Sequence, residues 1–116
     1  ILIIDDDERI LTSLKEILQQ ELYIISSANS GKEGLKRFEA TDPDLVITDI
    51  IMPDIEGIEL IKVMRKRNRD VPIIAMSGDQ IGQRFLKAAQ LLGAIDTLLK
   101  PFTIGEMKDK IRKALY

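Results

Sequence analysis

Five times along this chain a short run of apolar residues gives way to a stretch whose apolar residues recur at the spacing of one helical face. Ile1-Leu2-Ile3-Ile4 is the first such run, and Ile10, Leu11, Leu14, Ile17 and Leu18 follow it at helical spacing. A second β-rich stretch, Tyr23 to Ser27, leads into Ser30-Gly31-Lys32-Glu33, which has the Ser-x-x-Glu form of a capping box, and then to Leu35 and Phe38. Asp42-Pro43 punctuates before Leu45-Val46-Ile47. Past the turn residues Pro53 and Gly57, a helix points Ile58, Ile61 and Met64 inward. Val71 to Met76 reads as the fourth strand. Ser77-Gly78-Asp79 opens a helix with Phe85, Ala88, Ala89 and Leu92 on one side, and Gly93 closes it where a helix end favours glycine. A strand around Ile95 to Leu99 comes last, and Thr103 with Glu106 forms a second capping box. Ile104, Met107, Ile111 and Leu115 mark the buried face of the final helix.

Strands alternating with amphipathic helices imply a parallel sheet covered on both faces, because each crossover helix packs back onto the sheet with right-handed connection. The expected class is α/β, a doubly wound five-stranded parallel sheet of (βα)5 form, and residues 1–116 suffice for one domain but not two cores. In such sheets ligands sit outside the carboxyl ends of the strands, where strand order reverses. The residues following each strand therefore carry the functional reading.

Several chemistries are excluded first. The chain has no histidine and no cysteine, so it offers no imidazole base, no thiol nucleophile, no thiolate metal site and no phosphohistidine of its own. Seventeen basic against 19 acidic residues leave a net charge of -2, which provides no positive field for direct nucleic acid binding or an anionic membrane surface. No apolar run approaches the length of a membrane span. A cytoplasmic setting is the simplest expectation. No Met precedes Ile1, so a chain trimmed from a longer one is expected.

Asp5-Asp6-Asp7 follows the first strand, Asp49 the third, Ser77 the fourth and Lys100 the fifth. Taken singly each is ordinary: Asp7 suits a helix cap, Asp49 a strand-end turn, Ser77 an N-cap, Lys100 the surface. Converging on one edge, they make a site. Clustered carboxylates repel, and a hard cation with oxygen ligands relieves that repulsion; Mg2+ suits a place where a phosphoryl group must approach acids. Lys100 and the Ser77 hydroxyl can then contact phosphoryl oxygens. Asp49, alone at its strand end, is the candidate nucleophile, and phosphoryl transfer asks mainly for positioning and charge neutralisation, so the missing histidine is no obstacle. The basic run Lys62, Arg65, Lys66, Arg67 and Arg69 reads as a solvated helix end favoured by the helix dipole.

These residues resemble the receiver domains of bacterial response regulators and hybrid kinases over essentially the whole chain. The resemblance is carried by Ile3-Ile4-Asp5-Asp6-Asp7, by Val46-Ile47-Thr48-Asp49-Ile50-Ile51-Met52-Pro53 with Gly57 beyond it, by Met76-Ser77-Gly78 and by Lys100-Pro101-Phe102. It implies a flavodoxin-like receiver fold and a phosphorelay switch. Asp49 would be the phosphoacceptor for a histidine kinase or histidine phosphotransfer protein, and Asp5, Asp6, Asp49 and the backbone carbonyl of Ile51 would be the magnesium ligands, with Asp6 a direct one. Ser77 would be the switch hydroxyl, Lys100 its charged partner, and the Lys100-Pro101 peptide cis. The surface of the fourth helix, fifth strand and fifth helix would carry the signal, to an output domain, an effector or a homodimer partner. The family usually has an aromatic residue two positions before Leu99, where this chain has Thr97. Ile51 and Asp79 are expected to flank the path of hydrolytic water.

Three other functions compete. A small aspartyl phosphatase of the haloacid dehalogenase type needs a second Asp two residues after the nucleophile, where Ile51 stands. A flavodoxin-like nucleotide or flavin module needs a glycine-rich loop after the first strand, where Asp5-Asp6-Asp7 would repel a phosphate. A pseudo-receiver acting by protein contact alone would have no use for the complete set of acids, hydroxyl and lysine.

Overall fold

The computed structural model describes residues 1–52, 57–78 and 80–116, without the side chains of 80–83. Five strands, β1 (Leu2–Ile4), β2 (Ser26–Ala28), β3 (Val46–Asp49), β4 (Ile73–Ser77) and β5 (Asp96–Leu99), form one sheet in the order β2-β1-β3-β4-β5, every pair parallel. Five helices follow them in turn: α1 (Glu8–Gln19), α2 (Gly31–Thr41), α3 (Gly57–Arg67), α4 (Gln80–Leu91) and α5 (Ile104–Leu115). The chain steps from β1 outward to β2, then returns across β1 to β3, so strand order reverses between β1 and β3. Alternate residues of each strand serve opposite faces. Leu2, Ile4, Val46, Ile73 and Ala75 pack with Phe38, Leu60, Ile61, Met64, Leu86 and Ala89 of α2, α3 and α4. Ile3, Ile47, Ile74, Met76 and Leu98 pack with Leu11, Leu14, Leu18, Met107 and Ile111 of α1 and α5. The continuous apolar runs are thus the mark of strands buried on both sides.

The helix starts lie where the capping residues place them. Asp7 accepts from the Arg9 amide (3.0 Å), Ser30 from the Glu33 amide (3.1 Å) and Thr103 from the Glu106 amide (3.0 Å). Gly93, with φ +124°, follows α4 in a conformation that suits a residue without a β-carbon.

Several expectations need correction. The second strand is shorter and later than expected: of the stretch Tyr23 to Ser27 only Ser26 and Ser27 belong to β2, which runs Ser26–Ala28 opposite the three residues of β1, and Ile24 is 90% exposed. Among the described side chains of α4, Leu86 and Ala89 are buried, and Phe85, expected on the inner face, is instead 41% exposed. Ile104 is 49% exposed and lines a surface groove instead of the core. Arg65 is no solvated helix end, since its guanidinium is bound by main-chain carbonyls. The expected turn at Pro53 and the expected role of Asp79 fall outside the described residues.

Candidate functional site

The carboxyl ends of β1 and β3 lie side by side at the reversal of strand order, and each hands its next residues to the same edge. Asp5 leaves β1 fully buried, its Oδ1 accepting from the Asp7 amide at 2.9 Å. Asp49 ends β3, also buried, and its Oδ1 lies 3.4 Å from the Ile51 amide. Behind it Thr48 Oγ1 donates to the Asp49 carbonyl oxygen at 3.0 Å. Asp6 is exposed, and carboxylate oxygens of Asp5, Asp6 and Asp49 lie within 4.8 Å of one another. This all-oxygen, dianionic-or-more donor set suits a hard divalent cation such as Mg2+, which accepts carboxylates and completes its shell with water or phosphate oxygens.

The lysine arrives from 95 residues away in sequence. Lys100 follows β5, and its Nζ donates to Asp5 Oδ2 at 2.6 Å and to Asp49 Oδ2 at 3.1 Å, bridging the two acids. Its backbone is held by an N–H bond to the Ser77 carbonyl (2.8 Å), and the Lys100-Pro101 peptide is cis. Burial alone would lower the affinity of the ammonium for its proton, but Asp5 and Asp49 together hold it above the ordinary lysine value. Burial pushes the Asp5 carboxyl up from its usual range, against the pull of Lys100 and of the Asp7 amide.

Ser77, the last residue of β4, is 1% exposed, and its Oγ has no hydrogen-bond partner among the described residues. A buried hydroxyl is costly to leave without a partner, so Ser77 has a donor to offer at this edge. The structure therefore brings Asp5, Asp6, Asp49 and Lys100 together. It sets Ser77 at the adjoining strand end, hydrogen-bonded through its carbonyl to Lys100, and Ile51 beside Asp49.

Two contributors were not assigned roles from sequence. Thr48 secures the Asp49 backbone, as above. Gly57 donates from its amide to the Ile50 carbonyl at 2.6 Å, and a β-carbon on it would fall 2.4 Å from the Asp49 carbonyl oxygen and 2.5 Å from Ile50 Cα. The start of α3 therefore presses main chain on main chain behind the acid. A lone glycine shortly after a strand-end acid was the available signal. Beside the site, Ile10, Leu14, Ile17, Pro101, Phe102 and Ile104 line an open, mainly apolar groove of about 630 Å3 between α1 and the β5–α5 connection, with Lys100 at its rim.

This fold and this edge of acids and lysine define the class: the chain belongs to the response regulator receiver domain family, whose pattern matches residues 1–112. It is a signalling domain of two-component systems. It is 34% identical to the alkaline phosphatase synthesis transcriptional regulatory protein PhoP of Bacillus subtilis over 99% of this chain and 48% of that protein. It is 32% identical to the transcriptional regulatory protein PrrA of Mycobacterium leprae over 99% of this chain and 49% of that one. The chain thus spans about half the length of these curated relatives. Among solved structures, a CheY-like response regulator receiver domain protein from Methanospirillum hungatei superposes with a TM-score of 0.87 at 33% identity, covering 98% of this chain and 90% of that one. The receiver domain of NtrX from Brucella abortus gives 0.92 at 25% identity, covering 98% and 96%. Among the described residues, no helix is long and apolar enough to cross a membrane.

Proposed function

We propose that residues 1–116 form one phosphorylation switch, in which Asp49 takes a phosphoryl group from a phosphohistidine on a histidine kinase or phosphotransfer protein. One carboxylate oxygen of Asp49 attacks phosphorus, the P–N bond breaks, and the imidazole nitrogen leaves with the electron pair. Asp5, Asp6, Asp49 and the Ile51 carbonyl would hold Mg2+, which when bound neutralises the acids and the incoming phosphoryl oxygens. Lys100 supplies a second positive charge and can exchange an acid oxygen for a phosphoryl oxygen with a small movement of its flexible stem. The Ser77 hydroxyl, which has no partner among the described residues, donates to the same group. The observation that carries this reading is the Lys100 ammonium shared between Asp5 and Asp49, at 2.6 and 3.1 Å, which assembles groups from β1, β3 and β5 on one edge.

The finer steps rest on the same reading. The apolar groove between α1 and Pro101-Phe102, with Lys100 at its rim, offers the phosphodonor protein a surface beside Asp49. With Thr97 half-buried on β5 in place of an aromatic residue, the change at Asp49 reaches the surface of α4, β5 and α5 through Ser77 and the backbone. That surface would serve an effector, an output domain elsewhere in the protein, or a second copy. Ile51, at the edge of the site, hinders hydrolytic water, so an Ile51→Asn variant is expected to lose its phosphoryl group faster. A cytoplasmic location, where kinase and phosphodonor meet it, completes the proposal.

The test is intact mass after incubation with acetyl phosphate and MgCl2. Wild type is expected to gain one phosphoryl group, acid-labile and dependent on Mg2+, and Asp49→Asn none. An unmodified wild type, or an equally modified Asp49→Asn, would remove the proposal.

A further inference from the structure

The helix that would transmit the signal is tied down at one end by a residue that the site does not use. Arg65, in the last turn of α3, places Nη1 2.7 Å from the Arg69 and Val71 carbonyl oxygens and 3.3 Å from that of Asn68, and Nη2 2.7 Å from the Gly93 carbonyl oxygen. The acceptors belong to two segments, the α3–β4 connection and the corner after α4. That corner is otherwise held by Gly93 N–H to the Gln90 carbonyl (3.2 Å), Ala94 N–H to the Ala89 carbonyl (2.9 Å) and Ile95 N–H to the Ile73 carbonyl (2.9 Å). The fit around the guanidinium is close: a β-carbon at Gly93, whose φ is +124°, would lie 2.7 Å from Arg65 Nε. Only the planar fork of arginine offers donors in this spread, and a lysine ammonium would satisfy one segment at a time.

The opposite end of α4 follows Ser77-Gly78, beside the acids. Between the ends, the buried anchors of the helix among its described side chains are Leu86 and Ala89, a modest seat on the sheet. We propose that Arg65 is a positioning residue that makes the corner at Gly93–Ile95 the fixed pivot of α4, so that a change at Ser77 appears as displacement of the amino-terminal half of the helix. This rests on the reading that phosphorylation of Asp49 acts through Ser77 and the α4 surface. Without the clamp, the same change would be shared along the helix and into the start of β5, and the shape presented to a partner would differ.

Hydrogen exchange by mass spectrometry on the full chain, with and without acetyl phosphate and MgCl2, tests this in wild type, Arg65→Lys and Arg65→Gln. On phosphorylation of wild type, amides of residues 84–88 are expected to change by at least ~5-fold and those of 93–96 to stay within ~2-fold. In both variants the change spreads to 93–96 while the mass gain at Asp49 persists. Equal changes at both ends in wild type, no change at either end, or a wild-type pattern in both variants would overturn the pivot. If wild type gains no phosphoryl group, the underlying reading fails and the signalling half with it. The anchoring half is then decided without phosphodonor, where exchange at 93–96 must rise ~10-fold in Arg65→Gln with β1 unchanged. Arg65→Lys keeps the charge, so it remains informative if Arg65→Gln does not fold.

Discussion

Two long cations stand at opposite ends of β4 and β5, and they are held by different chemistry. Beyond the carboxyl ends, Lys100 sits between two carboxylates, so its neighbours are themselves charged, mutually repelling and open to a competing cation or anion. Near the amino ends, Arg65 sits among main-chain carbonyls whose positions are fixed by the strands and turns they belong to. Acid groups give a lysine alternatives; carbonyl dipoles give an arginine none. A cation held by competing acids and a cation held by fixed carbonyls can thus share the same pair of strands.

The largest expected effect separates the two directly. Lys100→Ala should lower the rate of Asp49 phosphorylation by ~100-fold, as loss of one preorganised charged donor does elsewhere, measured by mass against time with acetyl phosphate. Arg65→Lys in the same assay should remain within ~3-fold of wild type, and a comparable loss there would break the distinction. Stability should show the reverse order. Arg65→Ala leaves carbonyls of two segments short of a donor and should cost about 2–3 kcal/mol in urea unfolding, whereas a cost below about 0.5 kcal/mol would mean that water replaces the guanidinium.

At the acid edge, Asp49→Asn relieves repulsion among three clustered carboxylates but also removes one of the two acids that hold Lys100, so stability without Mg2+ should stay within about 1 kcal/mol of wild type. The same variant should lose most of the Mg2+-dependent rise in Tm that linkage predicts for wild type. An undiminished rise would place the cation elsewhere.

The smallest effect belongs to a third cation, Lys110 of α5, which meets Asp96 of β5 at 2.8 Å in partial exposure. Burial works to raise the Asp96 carboxyl, but Lys110 and the Thr97 amide outweigh it and set the value below the ordinary 3.8. A depressed acid contributes stability above its unfolded value and loses it as pH falls through the folded one. Asp96→Asn should therefore cost only about 0.5 kcal/mol at pH 7, after allowance for solvent screening, and should flatten the loss of stability below about pH 4. Thermal melts across pH would show an unchanged acid limb if the pair contributes nothing.

Much of this was legible in the sequence because it depends on short-range pattern. Unbroken runs such as Leu45-Val46-Ile47 can only be strands covered on both faces once they are too short for buried helices, and Asp7, Ser30 and Thr103 declare their helix starts by side-chain chemistry. The gathering of Asp5, Asp49 and Lys100 followed from topology, since parallel strands deliver their next residues to one edge. What escaped depended on tertiary fit. Tyr23 to Ser27 has the composition of a strand, yet β1 has room to pair only Ser26 to Ala28. Ile104 keeps helical spacing with Met107 and Ile111 but faces the groove beside α1. Arg65 lies among other basic residues, and only the folded chain brings Gly93 to it from 28 residues away. Nor does a glycine at 57 announce how near the Asp49 carbonyl it comes.

That nearness has a consequence for anyone altering this protein. The space a methyl group would need at Gly57 is occupied by backbone atoms of Asp49 and Ile50, so no trimming of a neighbouring side chain can create it. Position 57 is closed to redesign by compensation. A mutational library can vary the surroundings of the acid edge widely, but any other residue at 57 must move the segment that carries Asp49.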